Sequence, residues 1–134
     1  MTGMDEAKLR RAFLEESEEM VAELNRRLVE LEQETGSAEL VNEVFRLFHS
    51  LKSESALMGF AKLSEVAHRT EDLFDLVKRG ALELVRPVMD AVFSATDLVN
   101  EMIARIAAGG GDAEFSTEGI LGALERLKAP GGGS

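Results

Sequence analysis

The imidazole of His49 is the side chain in this sequence best suited to chemistry near neutral pH. The chain contains two histidines and no cysteine, so few of its groups can titrate or attack in that range. His49 lies in the run 45–52, FRLFHSLK, whose apolar spacing predicts a helix. A histidine on the flank of a helix, with Lys52 about one turn further on, suits an imidazole that accepts a phosphoryl group.

A helical wheel predicts a carboxylate partner for His49. At about 100° per residue, the apolar arc of the second predicted helix centres on Val41, Phe48 and Ser55, and His49 lies at its edge. Glu71 lies at the corresponding edge of the third predicted helix, so we expect the two side chains to meet across a groove. A carboxylate that accepts Nδ1–H fixes the tautomer whose Nε2 lone pair points outward as a nucleophile.

Two cations and a second histidine complete this candidate site. Lys52, and to a lesser degree Arg46, are expected to attract phosphoryl oxygens, because phosphoryl transfer depends mainly on positioning and charge. His68 lies about 60° further out on its wheel than Glu71, which predicts a more solvated ring. Position and neighbours alone are equally compatible with His49 being an ordinary histidine at the edge of a helix interface.

We expect no metal and no cofactor in this chain. The segment 65–68 is a single Glu-x-x-His, an element that di-iron bundles use twice, and Arg46 stands where a second copy would need an acid before His49. The methionines are dispersed, which is typical of core filler rather than of a copper site. Neither a glycine-rich phosphate loop nor a Ser-His-Asp arrangement is evident, so the sequence does not predict a complete enzyme.

Composition limits the class of protein further. The 134 residues are 45% hydrophobic and 30% charged, which is typical of one globular domain. The net charge of −10 disfavours nucleic acid and anionic membranes as partners, since both attract cationic surfaces. No apolar run approaches the roughly 18 residues of a membrane span, and the acidic N-terminus does not resemble a signal peptide. We therefore expect a cytoplasmic protein.

Helical periodicity predicts an all-α fold. Helices are expected at about 5–34, 38–58, 62–79, 86–108 and 116–128, with the first buried stripe beginning at Leu9. Ser37 is the expected N-cap of the second helix and Ser116 that of the fifth. Four long amphipathic helices with short connections favour an antiparallel up-down-up-down four-helix bundle, with the short fifth helix outside it or at its end. Residues 1–129 are predicted to be a single domain, and 130–134 a flexible tail or linker.

The residues around His49 resemble a known family. The run 44–52, VFRLFHSLK, continuing to Gly59 and Phe60, resembles the phospho-acceptor signature of histidine phosphotransfer (HPt) domains. The match is most like the N-terminal domain of CheA-type chemotaxis histidine kinases. The segment 67–73, AHRTEDL, is similar to the third helix of that family, and the resemblance covers essentially the whole chain.

The resemblance implies a role for each residue of the site. His49 would be the histidine that is phosphorylated on Nε2, and Glu71 the carboxylate that holds its Nδ1. Lys52 would be the basic residue beside them, and His68 the second histidine, which is not phosphorylated. The family often has glycine after this lysine, where Ser53 stands here. We expect Ser53 to be tolerated because it is small.

The resemblance also implies partners, in a two-component phosphorelay of the chemotaxis type. A histidine kinase catalytic domain, using ATP and Mg²⁺, would phosphorylate His49, and a response-regulator receiver domain would take the phosphoryl group on an aspartate. The binding surface is expected to include Arg46, Ser53, Ala56 and His68, and the domain is expected to be monomeric. The alternative interpretation is a non-catalytic helical adaptor whose groove binds a partner helix.

Overall fold

The computed structural model describes residues 3–128, and its regular structure is helical. The helices are α1 (Gly3–Gln33), α2 (Ala38–Leu57), α3 (Ala61–Lys78), α4 (Arg86–Ala107) and α5 (Glu118–Lys128). The predicted all-α fold class is confirmed, with no strand within 3–128. None of the helices in this range is both long and apolar enough to cross a membrane. The predicted tail 130–134 lies outside the described residues.

The first four helices form a ring around one core. α1 packs against α2 and α4, and α3 packs against the same two helices, which is the arrangement of an antiparallel four-helix bundle. The contact between α2 and α3 is the most extensive of all, and α5 lies outside the ring against α3 and α4. The aromatic centre of the core is the pair Phe48 and Phe74, whose ring centroids are 6.1 Å apart.

Short turns set the pairing of α2 with its neighbours. The Ser37 side chain accepts a hydrogen bond from Leu40 N at 3.2 Å, so the predicted N-cap of α2 is confirmed. Gly59 follows α2 and Gly80 follows α3, with φ of 83° and 76°. Glycine adopts this left-handed conformation without the steric cost that other residues incur. The tight turn at Gly59 makes α2 and α3 an antiparallel hairpin whose flanks face each other.

The start of α5 was predicted two residues too early. Ser116 does not cap this helix, because Thr117 lies immediately before its first residue, Glu118. The preceding loop is held by α3 instead: the buried Asp112 carboxylate accepts from Leu63 N at 2.8 Å, and Lys62 Nζ donates to two loop carbonyls. A contact between residues so far apart in the sequence cannot be predicted from a local capping pattern.

The other helix ends lie within two residues of their expected positions. Leu9, expected in the buried stripe of α1, is 51% exposed. The outermost core layer on this side is the pair Phe13 and Phe60, with ring centroids 5.4 Å apart. Leu9 lies one turn of α1 beyond that layer, where the bundle no longer covers it.

Candidate functional site

The groove between α2 and α3 brings His49 and Glu71 together, as the wheels predicted. His49 Nδ1 is hydrogen-bonded to Glu71 Oε2, and because a carboxylate only accepts, the imidazole carries its proton on Nδ1. The Glu71 side chain is 8% exposed, whereas that of His49 is 56% exposed. The ring therefore turns its Nδ1 edge towards a buried acid and leaves Nε2, across the ring, at the accessible edge.

Lys52 lies against the same carboxylate. Its Nζ is 2.6 Å from Glu71 Oε1, whereas His49 is bonded to Oε2. The two oxygens of Glu71 therefore have separate partners, which lie on successive turns of α2. Burial raises the pKa of Glu71, but the Lys52 ammonium and the His49 ring outweigh burial, so the pKa lies below its ordinary value. Glu71 is thus ionised at neutral pH and stabilises positive charge that develops on the imidazole.

An aromatic ring and a second cation complete the groove. Phe45, one turn before His49 on α2, has its ring centroid 6.4 Å from that of the imidazole, with 16° between the planes. Lys78 Nζ, from α3, lies 4.1 Å from the centroid of Phe45. This contact was not predicted from the sequence. The spacing of the residues could have indicated it. Phe45 lies four residues before His49, and Lys78 lies seven residues after Glu71, so each is on the same face of its helix as that site residue.

Of the predicted binding surface, Ser53 contacts His49, and two further residues lie nearer the Gly59 end of the groove. Ser53 Oγ donates to His49 O at 3.1 Å. Ala56 and His68 line one shallow depression at the Gly59 end of the groove. The His68 side chain is 52% exposed, with Nε2 3.6 Å from an oxygen of Asp72, so this ring is more solvated than Glu71, as predicted.

Arg46 is not brought to the His49–Glu71 pair. It is exposed and lines a separate depression between α1 and α2, with Arg27, Glu23 and Glu43. Its charge is therefore directed away from α3. Of the two cations that the sequence suggested for the site, Lys52 is the one that contacts it.

One group of potential metal ligands occurs within residues 3–128. Ligand atoms of His68, Glu71 and Asp72 lie within 4.8 Å of one another. Both carboxylates are already paired with lysines, Glu71 with Lys52 at 2.6 Å and Asp72 with Lys128 at 3.5 Å. The positive charge that a metal ion would supply is thus largely provided by ammonium groups.

Comparisons with known sequences find relatives that match most of this chain. The family model for the Hpt domain matches residues 8–109. Chemotaxis protein CheA of Halobacterium salinarum is 36% identical over 124 residues, a match that covers 90% of this chain and 19% of that protein. Chemotaxis protein CheA of Listeria monocytogenes is 34% identical over 119 residues, covering 88% of this chain and 19% of its own. The chain thus spans about a fifth of the length of these relatives.

Solved structures share the fold. The solution structure of the histidine phosphotransfer domain of CheA has a TM-score of 0.82 at 26% identity, covering 89% of this chain and 90% of that one. The phosphorylated P1 domain of CheA3 in complex with CheY6 from R. sphaeroides has a TM-score of 0.79 at 19% identity, covering 88% and 93%. Because its sequence identity is only 19%, the similarity to the CheA3 P1 domain shows the fold alone.

Proposed function

This chain belongs to the Hpt domain family, and we propose that it is the phospho-acceptor domain of a CheA-type chemotaxis kinase, with His49 Nε2 as the acceptor atom. One observation carries the proposal: His49 Nδ1 is held by Glu71, an acid that is buried and yet ionised. In the neutral ring, a proton held on Nδ1 by this contact puts the lone pair on Nε2, at the exposed edge. Membership of the family supports the reaction, and the geometry supports the choice of atom.

The reaction follows from the charges of the groove. The Nε2 lone pair attacks the γ-phosphorus of ATP held by a partner kinase domain, the bond to the bridging oxygen breaks, and ADP leaves. The imidazole becomes positively charged while Nδ1 keeps its proton, and Glu71 stabilises that charge. The phosphoryl group then passes from Nε2 to an aspartate of a receiver domain, and the neutral ring is restored.

The proposed partners use the same face. The kinase domain supplies ATP, Mg²⁺ and most of the catalysis, and the receiver domain supplies the accepting carboxylate. The complex of a structurally similar P1 domain with CheY6 supports a receiver as partner. We expect Ser53, Ala56 and His68 to contact the partners around His49, and Arg46 to extend that surface towards α1.

Labelling tests the proposal. The chain is incubated with the catalytic domain of a CheA-type kinase, Mg²⁺ and ATP labelled on the γ-phosphate. We expect acid-labile, alkali-stable label that is lost in His49→Gln and still formed in His68→Gln, which removes the other histidine of the chain. Label that survives His49→Gln would contradict the assignment. The adaptor alternative predicts no uptake in any of the three proteins.

A further inference from the structure

The hydrogen bond to Glu71 does not by itself fix the plane of the His49 ring. The torsion that rotates an imidazole about its Cβ–Cγ bond is broad and weakly restrained. A contact at Nδ1 fixes one atom, and the ring retains freedom to tilt about it. Because more than half of the His49 side chain is exposed, only a neighbour on the ring face can restrict that tilt.

Phe45 is that neighbour. Its ring lies within 16° of parallel to the imidazole, with 6.4 Å between centroids, within the range of offset-stacked aromatic pairs. Phe45 is half-buried, with one part in the bundle and the other beside His49. Tilting of the imidazole towards α2's preceding turn would drive it into this ring.

Lys78 holds Phe45 from the opposite helix. An ammonium within about 6 Å of a ring centroid is attracted to the ring face, and Lys78 Nζ lies 4.1 Å from that of Phe45. The Phe45 ring therefore contacts both the His49 ring on its own helix and the Lys78 ammonium on the opposite helix. Glu71 contacts the edge of the imidazole at Nδ1, whereas Phe45 lies against its face.

We propose that Phe45 is a positioning residue for phosphoryl uptake: held by Lys78, it fixes the plane of the His49 imidazole and hence the direction of the Nε2 lone pair. The inference rests on the proposed function of His49. The lone pair lies in the ring plane, and in-line attack on phosphorus requires it to point at the phosphorus atom. A ring that tilts freely spends less time in that orientation.

A small phosphoryl donor tests the proposal without any partner protein. With phosphoramidate, the P–N bond of the donor breaks, ammonia leaves, and the Nε2 lone pair forms the new N–P bond. The ring acquires positive charge beside Glu71 and keeps its Nδ1 proton. Rate constants are measured for the wild type, Phe45→Leu, Phe45→Tyr and Lys78→Met. His49→Gln serves as the blank and Phe93→Leu, a half-buried phenylalanine of α4, as the matched control.

We expect Phe45→Leu to lower the rate constant roughly two- to tenfold, the range that a stacked aromatic pair supports. Phe45→Tyr keeps a flat ring and should stay within about twofold of the wild type, whereas Lys78→Met should show a smaller fall than Phe45→Leu. Phe93→Leu should react at the wild-type rate. Rescue by tyrosine separates a positioning role from a loss of packing volume.

Nuclear magnetic resonance supplies a second measurement that needs no donor. In Phe45→Leu the Nδ1 proton should keep its hydrogen-bonded shift, while the carbon-bound ring protons of His49 lose the ring-current displacement caused by Phe45. A wild-type rate in Phe45→Leu, an equal loss in Phe93→Leu, or no rescue by tyrosine would overturn the positioning role alone. Absence of any His49-dependent uptake by the wild type would overturn the proposed function as well.

Discussion

At the scale of single residues, the site depends on one carboxylate with two partners. A buried acid without a partner would become neutral rather than remain charged. Lys52, 2.6 Å from Glu71 Oε1, prevents this. Glu71 can therefore serve His49 as an anion, although its side chain is almost completely covered. The lysine acts on the imidazole mainly through the acid that both of them contact.

Glu71→Gln should slow phosphoryl uptake at His49 by roughly 100-fold, the lower end of the range for a well-placed acid–base group. The amide has nearly the shape of the carboxylate but no charge with which to stabilise the imidazolium. The measurement is the initial rate of acid-labile phosphorylation. Asp72→Asn is the matched control, because Asp72 follows Glu71 on α3 and is paired with Lys128 instead of His49. Equal rates in the wild type and Glu71→Gln would count against the role of the carboxylate.

At the scale of elements, the helices that form the groove are held from outside it. α3 has no capping side chain at Phe60, the residue before its first turn. The cap comes instead from the loop after α4, where Asp112 accepts from Leu63 N at 2.8 Å. Arg69 of α3 also forms an ion pair with Glu125 of α5. The start of α3, three turns before Glu71, thus depends on a segment about fifty residues away.

Asp112→Ala should lower the free energy of unfolding by about 1–2 kcal/mol, the usual cost of losing a capping acceptor. Because Asp112 is buried, the freed Leu63 N–H has little access to water, which favours the upper part of that range. The midpoint of urea unfolding measures the effect. Glu114→Ala, in the same loop but exposed and paired with Arg105 at 2.9 Å, should change the midpoint little. If both substitutions lower the urea midpoint equally, loss of the cap does not explain the destabilisation in Asp112→Ala.

The contact between α1 and α2 carries a pH dependence. Hydrogen bonding to Glu16 of α1, then burial and repulsion by the same acid, raise the pKa of Glu54 of α2 to about 7. An unfolded glutamate has a pKa of about 4.3, so the folded chain binds this proton more tightly. The stability contributed by Glu54 is therefore complete below about pH 4 and is lost as the pH rises to about 7.

Glu54→Gln should consequently be more stable than the wild type at pH 8, and equally stable near pH 4. We expect a difference below about 1 kcal/mol at pH 8, because solvent screens a partly exposed pair. Urea midpoints at the two pH values measure it, with Glu19→Gln on the exposed side of α1 as the control. A Glu54→Gln protein that is less stable than the wild type at pH 8 would show that the two acids do not repel each other.

At the scale of the whole molecule, features that depend on neighbouring residues could be predicted from the sequence, whereas most contacts between different helices could not. Helix periodicity and the Ser37 cap are local, and both were predictable. The meeting of His49 with Glu71 followed from two helix flanks and one tight turn. Ser116 was wrongly predicted as a cap because Asp112 is tied to α3, and the contact of Lys78 with Phe45 depends on how closely α2 and α3 pack. Such contacts between elements have no counterpart in a single-helix pattern.

The core and the site are separate parts of the same bundle. Phe48 is fully buried and packs against Phe74 of α3, whereas Phe45, three residues earlier on α2, is half-buried beside His49. Phe48 belongs to the core that the four helices enclose, and Phe45 belongs to the groove on the surface of the bundle. A substitution at Phe48 should therefore lower mainly the stability of the fold, and one at Phe45 should lower mainly the rate of phosphoryl uptake.

Phe48→Ala should cost about 3–5 kcal/mol of unfolding free energy through lost burial and the cavity left behind, a large part of the 5–15 kcal/mol that is usual for a domain. Phe45→Leu should cost less than about 1.5 kcal/mol, because it exchanges one apolar side chain for another at a half-open position. Urea unfolding followed by circular dichroism, with phosphorylation rates measured on the same samples, compares the two. The fraction of Phe48→Ala that remains folded should react at nearly the wild-type rate, whereas Phe45→Leu should be folded and slow. A folded Phe48→Ala protein with the larger loss of rate would show that the groove and the core are not separable.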